Sequence, residues 1–146
     1  MLVYFAELSS HSNVVQRVEI IDSEDILSDN MESISETKGE AKCQELFGST
    51  NTWKRTYRDG TRKRFAVPNG SYSPTDDVFL SPKPYPYFVL DSDKEWQPPI
   101  AKPTLTSQEE ADEYFYIWDD SAYQADNTQG WTLYRQENGI FNNGGE

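Results

Sequence analysis

Proline stands at every second position in Ser81-Pro82-Lys83-Pro84-Tyr85-Pro86-Tyr87, just ahead of the apolar run Phe88-Val89-Leu90. Proline has no backbone N–H to donate and holds φ near the polyproline value, so this stretch can be neither helix interior nor central strand. It reads as an extended arm that can wrap a surface but cannot be lengthened by another strand or template aggregation. Pro98-Pro99 and Pro103 repeat the device. The regular structure has to be built around such arms.

The material for that structure is rich in rings. Aromatic residues make up 14% of the chain, with nine Tyr, seven Phe and four Trp, while aliphatic residues are few. Rings must therefore supply much of the burial, which suits sheets and partly wet binding faces better than helical bundles. The β-prone Leu2–Leu8 run, the polar turn Ser9–Asn13 and the half-buried pattern from Val14 to Asp22 predict an N-terminal hairpin. Ser33-x-x-Glu36 resembles a capping box, and Gly39, Cys43, Leu46 and Phe47 share one helical face before Gly48, which predicts one helix over about residues 35 to 47.

Asp59-Gly60 is a preferred pair for a two-residue hairpin turn, which predicts a second hairpin from Trp53 to Ala66. That turn sets Tyr57 opposite Arg62 and Trp53 opposite Ala66. It also sets Arg55 against Arg64, which is unfavourable unless an acid lies between them. Three aromatic–acid–aromatic units follow: Tyr72 to Phe79, Phe88 to Trp96, and Trp118-Asp119-Asp120 with Trp131. Each reads as a small hairpin whose rings meet above an acidic turn, with Trp53 and Trp96 expected to be largely buried. Ser107-x-x-Glu110 is expected to cap a turn of helix ahead of a strand at Tyr114–Trp118. The expected fold is mainly β (α+β): a small antiparallel sheet built from hairpins, one short helix and proline-rich extended arms. A single domain is expected over residues 1–135, with the Gly- and Asn-rich residues 136–146 as a flexible tail.

A length of 146 residues suffices to bury one core without disulfides or metals. The 25 acidic and 13 basic residues give a net charge of -12, a field that repels phosphate and argues against nucleic-acid and anionic-membrane partners. Cys43 is the only cysteine, so no internal disulfide can form and a reducing cytoplasm is permitted. No leader opens the chain and no run approaches the ~20 apolar residues that cross a bilayer, so a soluble protein made inside a cell is expected.

Motifs that carry chemistry are scarce. His11, the only histidine, lies in a serine-rich turn and reads as a solvated residue, while the place of Cys43 on an apolar helical face favours a core thiol over a nucleophile. Asp76 with Asp77, or Asp91 with Asp93 and Glu95, could be imagined as glycosidase acids or calcium ligands, but counted from Asp91 the calcium-loop pattern fails, because Trp96 stands at the sixth position where glycine is needed and no glutamate follows at the twelfth. Turn acids are common for conformational reasons alone. With no phosphate-cradling loop, nucleophile elbow or dinucleotide fingerprint, neither an enzymatic activity nor a cofactor or metal is expected.

Lys54, Arg55, Arg58, Arg62, Lys63 and Arg64 hold six of the 13 basic residues against the global charge. Two accounts stand side by side: a solvated hairpin balanced by the chain's own acidic turns, or a docking surface for an acidic neighbour, a second copy of the chain included. On the docking account, charge reversal at Arg62 and Arg64 should block association and leave the free domain folded. The arm is the other candidate contact surface, with Pro82, Pro84 and Pro86 lowering the entropy lost on docking and Tyr85 and Tyr87 supplying anchoring rings. Capping of its own sheet edge is the alternative for the arm.

The succession of an opening YFAEL strand, VVQRVEIID, SETKGEAKCQELFG, TWKRTY, RKRFAVPNGSY, FLSPKPYPYFVLDSDKEWQPP and a late WDD followed by a further Trp resembles a family of small virion structural proteins of tailed phages that infect marine cyanobacteria. The resemblance covers most of residues 1 to 135 and is most distinctive in the proline-aromatic FVLD segment. It departs in the Ser121–Gly130 loop and in the density of charge around Arg62. It implies a non-enzymatic accessory subunit of the particle, made in the host cytoplasm and located in the virion. Its partners would be other virion proteins in many copies, capsid or tail subunits, in a head-decoration, neck, tail or baseplate position. Two other classes are weighed against it. A carbohydrate-binding or host-adhesion module would need two or three coplanar, solvent-facing rings. A regulator mimicking nucleic acid would need a smooth acidic face, which the basic cluster interrupts.

Overall fold

In the computed structural model, which describes residues 1–48, 50–137 and 140–143, the two N-terminal apolar runs form β1 (Leu2–Leu8) and β2 (Val15–Asp22), paired antiparallel as the pattern predicts. β3 (Thr52–Thr56) adds to the other side of β1, so the order is β2-β1-β3 and β1 is central. Its two faces are buried in different clusters, as the period of two requires. Val3 and Phe5 join Ile21, Ile26, Cys43 and Trp53, whereas Ala6 and Leu8 join Val15, Ala66 and Phe79.

Helix α1 (Glu36–Phe47) covers the first cluster and ends at Gly48 in the left-handed conformation, as read from the sequence. Its N-cap is Ser35, whose hydroxyl accepts the Lys38 N–H, and not Ser33. The reason is upstream: Ile34 bridges Leu27 and the Ser35 N–H donates to the Ile26 carbonyl, so the chain is held extended until residue 35. Gly39 lets the helix settle on the sheet, since a Cβ there would lie 2.1 Å from Phe5 Cζ. Cys43 is buried on this face, while Leu46, expected beside it, is exposed.

The hairpin expected around Asp59-Gly60 does not form, and with it go the Tyr57–Arg62, Trp53–Ala66 and Arg55–Arg64 pairings. β3 pairs with β1 instead, where Trp53 stands opposite Glu7 and is buried. That alternative gains an aromatic burial and avoids two arginines facing each other across a ladder. Residues 57–66 become an irregular loop in which the Asp59 carboxylate accepts the Thr61 N–H at 2.9 Å and Arg62 and Lys63 take positive φ of 59° and 73°. The loop returns to the sheet where the Ala66 N–H donates to Thr56 Oγ1 at 2.8 Å.

β4 (Ser71–Ser73) and β5 (Val78–Leu80) form the first ring-bearing hairpin, with Tyr72 opposite Phe79 and their centroids 5.1 Å apart, as expected. β6 (Val89–Leu90) and β7 (Trp96–Gln97) pair as a second hairpin, around a turn closed by Asp91 N–H to Glu95 carbonyl, with Phe88 just outside β6 and its ring packed on Trp118. Trp53 is buried as expected, whereas Trp96 is half-buried. α2 (Ser107–Ala111) carries a full capping box between Thr106 and Glu109, one residue before the Ser107–Glu110 pair read from the sequence. β8 (Tyr114–Trp118), α3 (Asp120–Ala125), β9 (Trp131–Glu137) and β10 (Ile140–Asn143) follow, and the strands form a sheet of order β10-β9-β8. Trp118 stands opposite Trp131, the third expected pair, with centroids 5.3 Å apart.

The fold is mainly β with a few short helices, in the α+β sense. Where one domain over residues 1–135 and a tail at 136–146 were expected, the chain packs as two compact units, Met1–Pro86 with Leu90–Trp96, and Tyr87–Val89 with Gln97–Glu146. Within the expected tail, Ile140–Asn143 is a strand paired with β9. The second unit has its own aromatic cluster, in which Tyr87 stacks on Tyr123 at 4.5 Å and Trp118 packs on Tyr87, Phe88, Tyr123 and Trp131.

Candidate interaction surfaces

The six basic residues do not share one environment. Four of them are neutralised inside the first unit. The Arg62 guanidinium sits between two carboxylates, with Nη1 and Nη2 donating to Glu36 at 2.8 and 3.1 Å and Nε donating to Asp77 at 2.8 Å. Its side chain is only 11% exposed. Lys54 Nζ lies 3.7 Å from Glu36, and Lys63 and Arg64 converge on Glu95 at 3.0 and 2.6 Å. Helix α1 brings Glu36, the β4–β5 turn brings Asp77 and the β6–β7 turn brings Glu95, so acids distant in sequence supply the charge that a local reading could not assign. Arg62 is thus a packed structural residue, and the expectation that reversing its charge leaves the domain folded is corrected: reversal would press a carboxylate against Glu36 and Asp77.

Glu36 is the hub of this network. Burial tends to raise its carboxyl, but the Arg62 hydrogen bonds, the Arg55 N–H and the charges of Arg62 and Lys54 outweigh burial and hold it below the usual carboxylate range. Asp77 is lowered chiefly by the Tyr72 hydroxyl, with Arg62 adding to it.

Arg55 and Arg58 are held differently, against rings. Arg55 lies over Tyr57 at 4.4 Å, and Arg58 lies over Tyr4 and Phe65 at 4.6 and 4.4 Å, the two rings meeting edge-on at 5.2 Å. The rings come from β1 and from the irregular loop, a juxtaposition created by the β1–β3 pairing that replaced the hairpin. A cavity of about 190 Å³ is lined by Leu2, Tyr4, Arg55, Tyr57, Arg58 and Asp59 among others.

The arm begins at a fixed point, where the Trp96 indole N–H donates to the Ser81 carbonyl at 2.8 Å and Lys83 Nζ lies 5.1 Å over the Trp96 ring. From there Pro82, Pro84, Tyr85 and Pro86 are all exposed. Tyr87, grouped with them in the sequence reading, belongs to the second unit, where its hydroxyl donates to Asp120 at 2.5 Å and accepts from Trp118 at 3.0 Å. Tyr87 is therefore an internal ring, half-buried.

Cys43 is fully buried, and burial first, with Glu19 second, pushes its thiol up to about 12. His11 is exposed in the β1–β2 turn. Among the described residues no group of three His, Cys, Asp or Glu side chains is placed to hold a metal, and no helix is long and apolar enough to cross a membrane. No family model, curated protein or solved structure matches the chain.

Proposed function

We propose that this chain is a non-enzymatic accessory subunit of a tailed-phage particle, working through protein–protein contact with neighbouring virion subunits. The observation that carries the reading is the arm: Pro82, Pro84, Tyr85 and Pro86 stand exposed in a row, anchored at Ser81 by the Trp96 indole. Three prolines within five residues leave the arm few conformations to lose on binding, and a ring at its centre is a natural anchor. The resemblance of the FLSPKPYPYFVLDSDKEWQPP segment to cyanophage virion proteins supports the same reading and supplies the particle as its setting.

Ring exposure favours contact over sugar binding. A stacking platform needs two or three coplanar rings facing solvent, and among the described side chains Tyr85, 36% exposed, is the one ring in that state. The test is a density map of the intact particle that encodes the chain. The proposal expects an ordered copy with residues 82–86 laid against a neighbouring subunit. A map with the arm in open solvent, or purified particles lacking the chain, would contradict it.

A further inference from the structure

We propose that the outer edge of β2 is a self-association site, where a second copy of the chain adds its own β2 antiparallel about a two-fold axis at Ile20. The free backbone groups of that edge follow from the opposite side of the sheet. Glu36 and Arg62 hold the Arg55 N–H and carbonyl on the outer side of β3, so Phe5, opposite Arg55, turns its own backbone groups towards β2. Its partner there is Glu19. Successive residues of an antiparallel strand bond to alternate edges, so Val18 and Ile20 point their N–H and C=O groups away from β1. Among the described residues no strand pairs with that side, since β2 has β1 as its one neighbour.

The edge is closed only at its start. The Val15 N–H donates to the Gly70 carbonyl at 2.8 Å and the Val15 carbonyl accepts the Asn69 N–H at 2.9 Å, next to the register shift between Glu7 and Leu8. From Val18 to Asp22 the strand carries no proline, lysine or bulge, the usual devices that blunt an exposed edge. In the middle of this stretch Ile20 is 51% exposed, on the same sheet face as the exposed Leu2.

Register and charge select the occupant. Pairing Val18 with the partner's Ile20 would set Glu19 against Glu19, like charges directly opposite. Pairing Val18 with the partner's Val18 would run the partner's Ile21 and Asp22 into Asn69 and Gly70, which already hold Val15. A shift the other way would leave Val18 without a strand residue to bond, because β2 ends at Asp22. Pairing Ile20 with the partner's Ile20 avoids all three faults: Val18 meets Asp22, Glu19 meets Ile21, and each strand stops short of Val15. Arg17, already paired in its own chain with Glu7 and Glu19, then stands opposite Ser23 of the second copy, where Asp22, Glu24 and Asp25 open the 3-10 turn Ser23–Ile26. The open stretch is thus its own complement in this register, with a cation brought to an acidic turn on each side of the axis.

This self-contact goes beyond the arm reading and is tested in solution without particles, so failure of either leaves the other standing. The full chain is followed by sedimentation equilibrium at about 0.15 M salt, which screens the repulsion between two copies of net charge -12 beyond about 8 Å. The expected result is a concentration-dependent monomer–dimer equilibrium. Ile20→Lys, a change at an exposed position, should weaken it about tenfold or more while the far-ultraviolet spectrum of the parent is retained. Single cysteines read the register, because directly opposed residues of a bonded pair lie about 5.5 Å apart at Cα, within disulfide reach. Under mild oxidation Ile20→Cys should cross-link as a dimer, and Glu19→Cys should do so about tenfold more slowly or less, with the fully buried Cys43 outside the reaction. A monomer at every concentration, which would leave the edge to another protein's strand, a dimer indifferent to Ile20→Lys, or equal cross-linking of the two cysteine variants would each overturn the proposal.

Discussion

The Glu36 carboxylate and the Arg62 guanidinium close on the backbone of Arg55 from both sides: Glu36 Oε1 accepts its N–H at 3.1 Å and Arg62 Nη1 donates to its carbonyl at 2.7 Å. An ion pair thus takes the two hydrogen bonds that a further strand would have made with β3, and the outer edge of the β2-β1-β3 sheet is closed by side chains at that residue. Exposed edges invite unwanted pairing, and here a charged clamp, fed by a helix start and a loop, blocks one.

The clamp predicts that Arg62 and Arg58, four residues apart, behave oppositely. Arg62→Ala leaves Glu36 and Asp77 without their shared partner and should cost about 2–3 kcal/mol of unfolding free energy, since hydrogen bonds to part-buried charges are the strong ones. Arg58→Gln loses an exposed contact with two rings and should cost about 0.5–1 kcal/mol. Urea denaturation of both variants checks this, and similar losses would remove the distinction between the two groups.

Acid should release the same clamp. Glu36, with Asp77 and Glu95, has its carboxyl held low in the folded chain. A depressed folded value means the contribution is complete above the unfolded pKa, 4.5 for Glu36 and 3.8 for Asp77, and is lost as pH falls through the folded value. Glu40, raised first by burial and then by Glu36, works in the opposite direction and offsets part of the loss. Stability measured from pH 7 to pH 2 should therefore hold to about pH 5 and then fall, and Glu36→Gln should flatten that fall.

Tyr72 gives an alkaline counterpart. Its hydroxyl is pushed up to about 12, by burial first and then by its hydrogen bond to Asp77. A raised folded value stabilises fully below the unfolded pKa of 10.0 and is lost as pH rises through 12. Tyr72→Phe should remove this part of the alkaline loss, which ultraviolet titration beside a stability profile would register.

Packing of α1 on the sheet can be tested at Gly39. Alanine in a helix is worth about 1 kcal/mol more than glycine. Here its Cβ would fall 2.1 Å from the ring of Phe5, which is fully buried and has nowhere to retreat. Overpacking of about 1–3 kcal/mol should win, so Gly39→Ala should lower the melting temperature; an increase would mean that the helix can lift off the sheet freely.

What was legible in the sequence was local. The β1–β2 hairpin and the end of α1 at Gly48 follow from alternation and capping chemistry within a few residues. The Tyr72–Phe79 and Trp118–Trp131 pairs follow from rings flanking turn residues. Illegible were the events decided at a distance. Asp59-Gly60 has the chemistry of a hairpin turn, yet β1 offers Trp53 a better partner from more than forty residues away. The cap of α1 slid from Ser33 to Ser35 because Leu27 pairs with Ile34. For the same reason the basic residues could be named as a group but not sorted: Glu36, Asp77 and Glu95 claim four of them, and Tyr4 and Phe65 place Arg58 apart.

The arm reading stands or falls on a paired measurement with the Pro82→Ala, Pro84→Ala and Pro86→Ala combined variant. None of these prolines donates a backbone hydrogen bond and all three side chains are exposed, so the melting temperature of the isolated chain should stay close to the parent value. Occupancy on purified particles, counted by quantitative mass spectrometry at matched expression, should fall several-fold as docking loses its conformational restriction. Unchanged occupancy with an unchanged melting temperature, or a loss of occupancy that follows unfolding alone, would contradict a docking role for the arm.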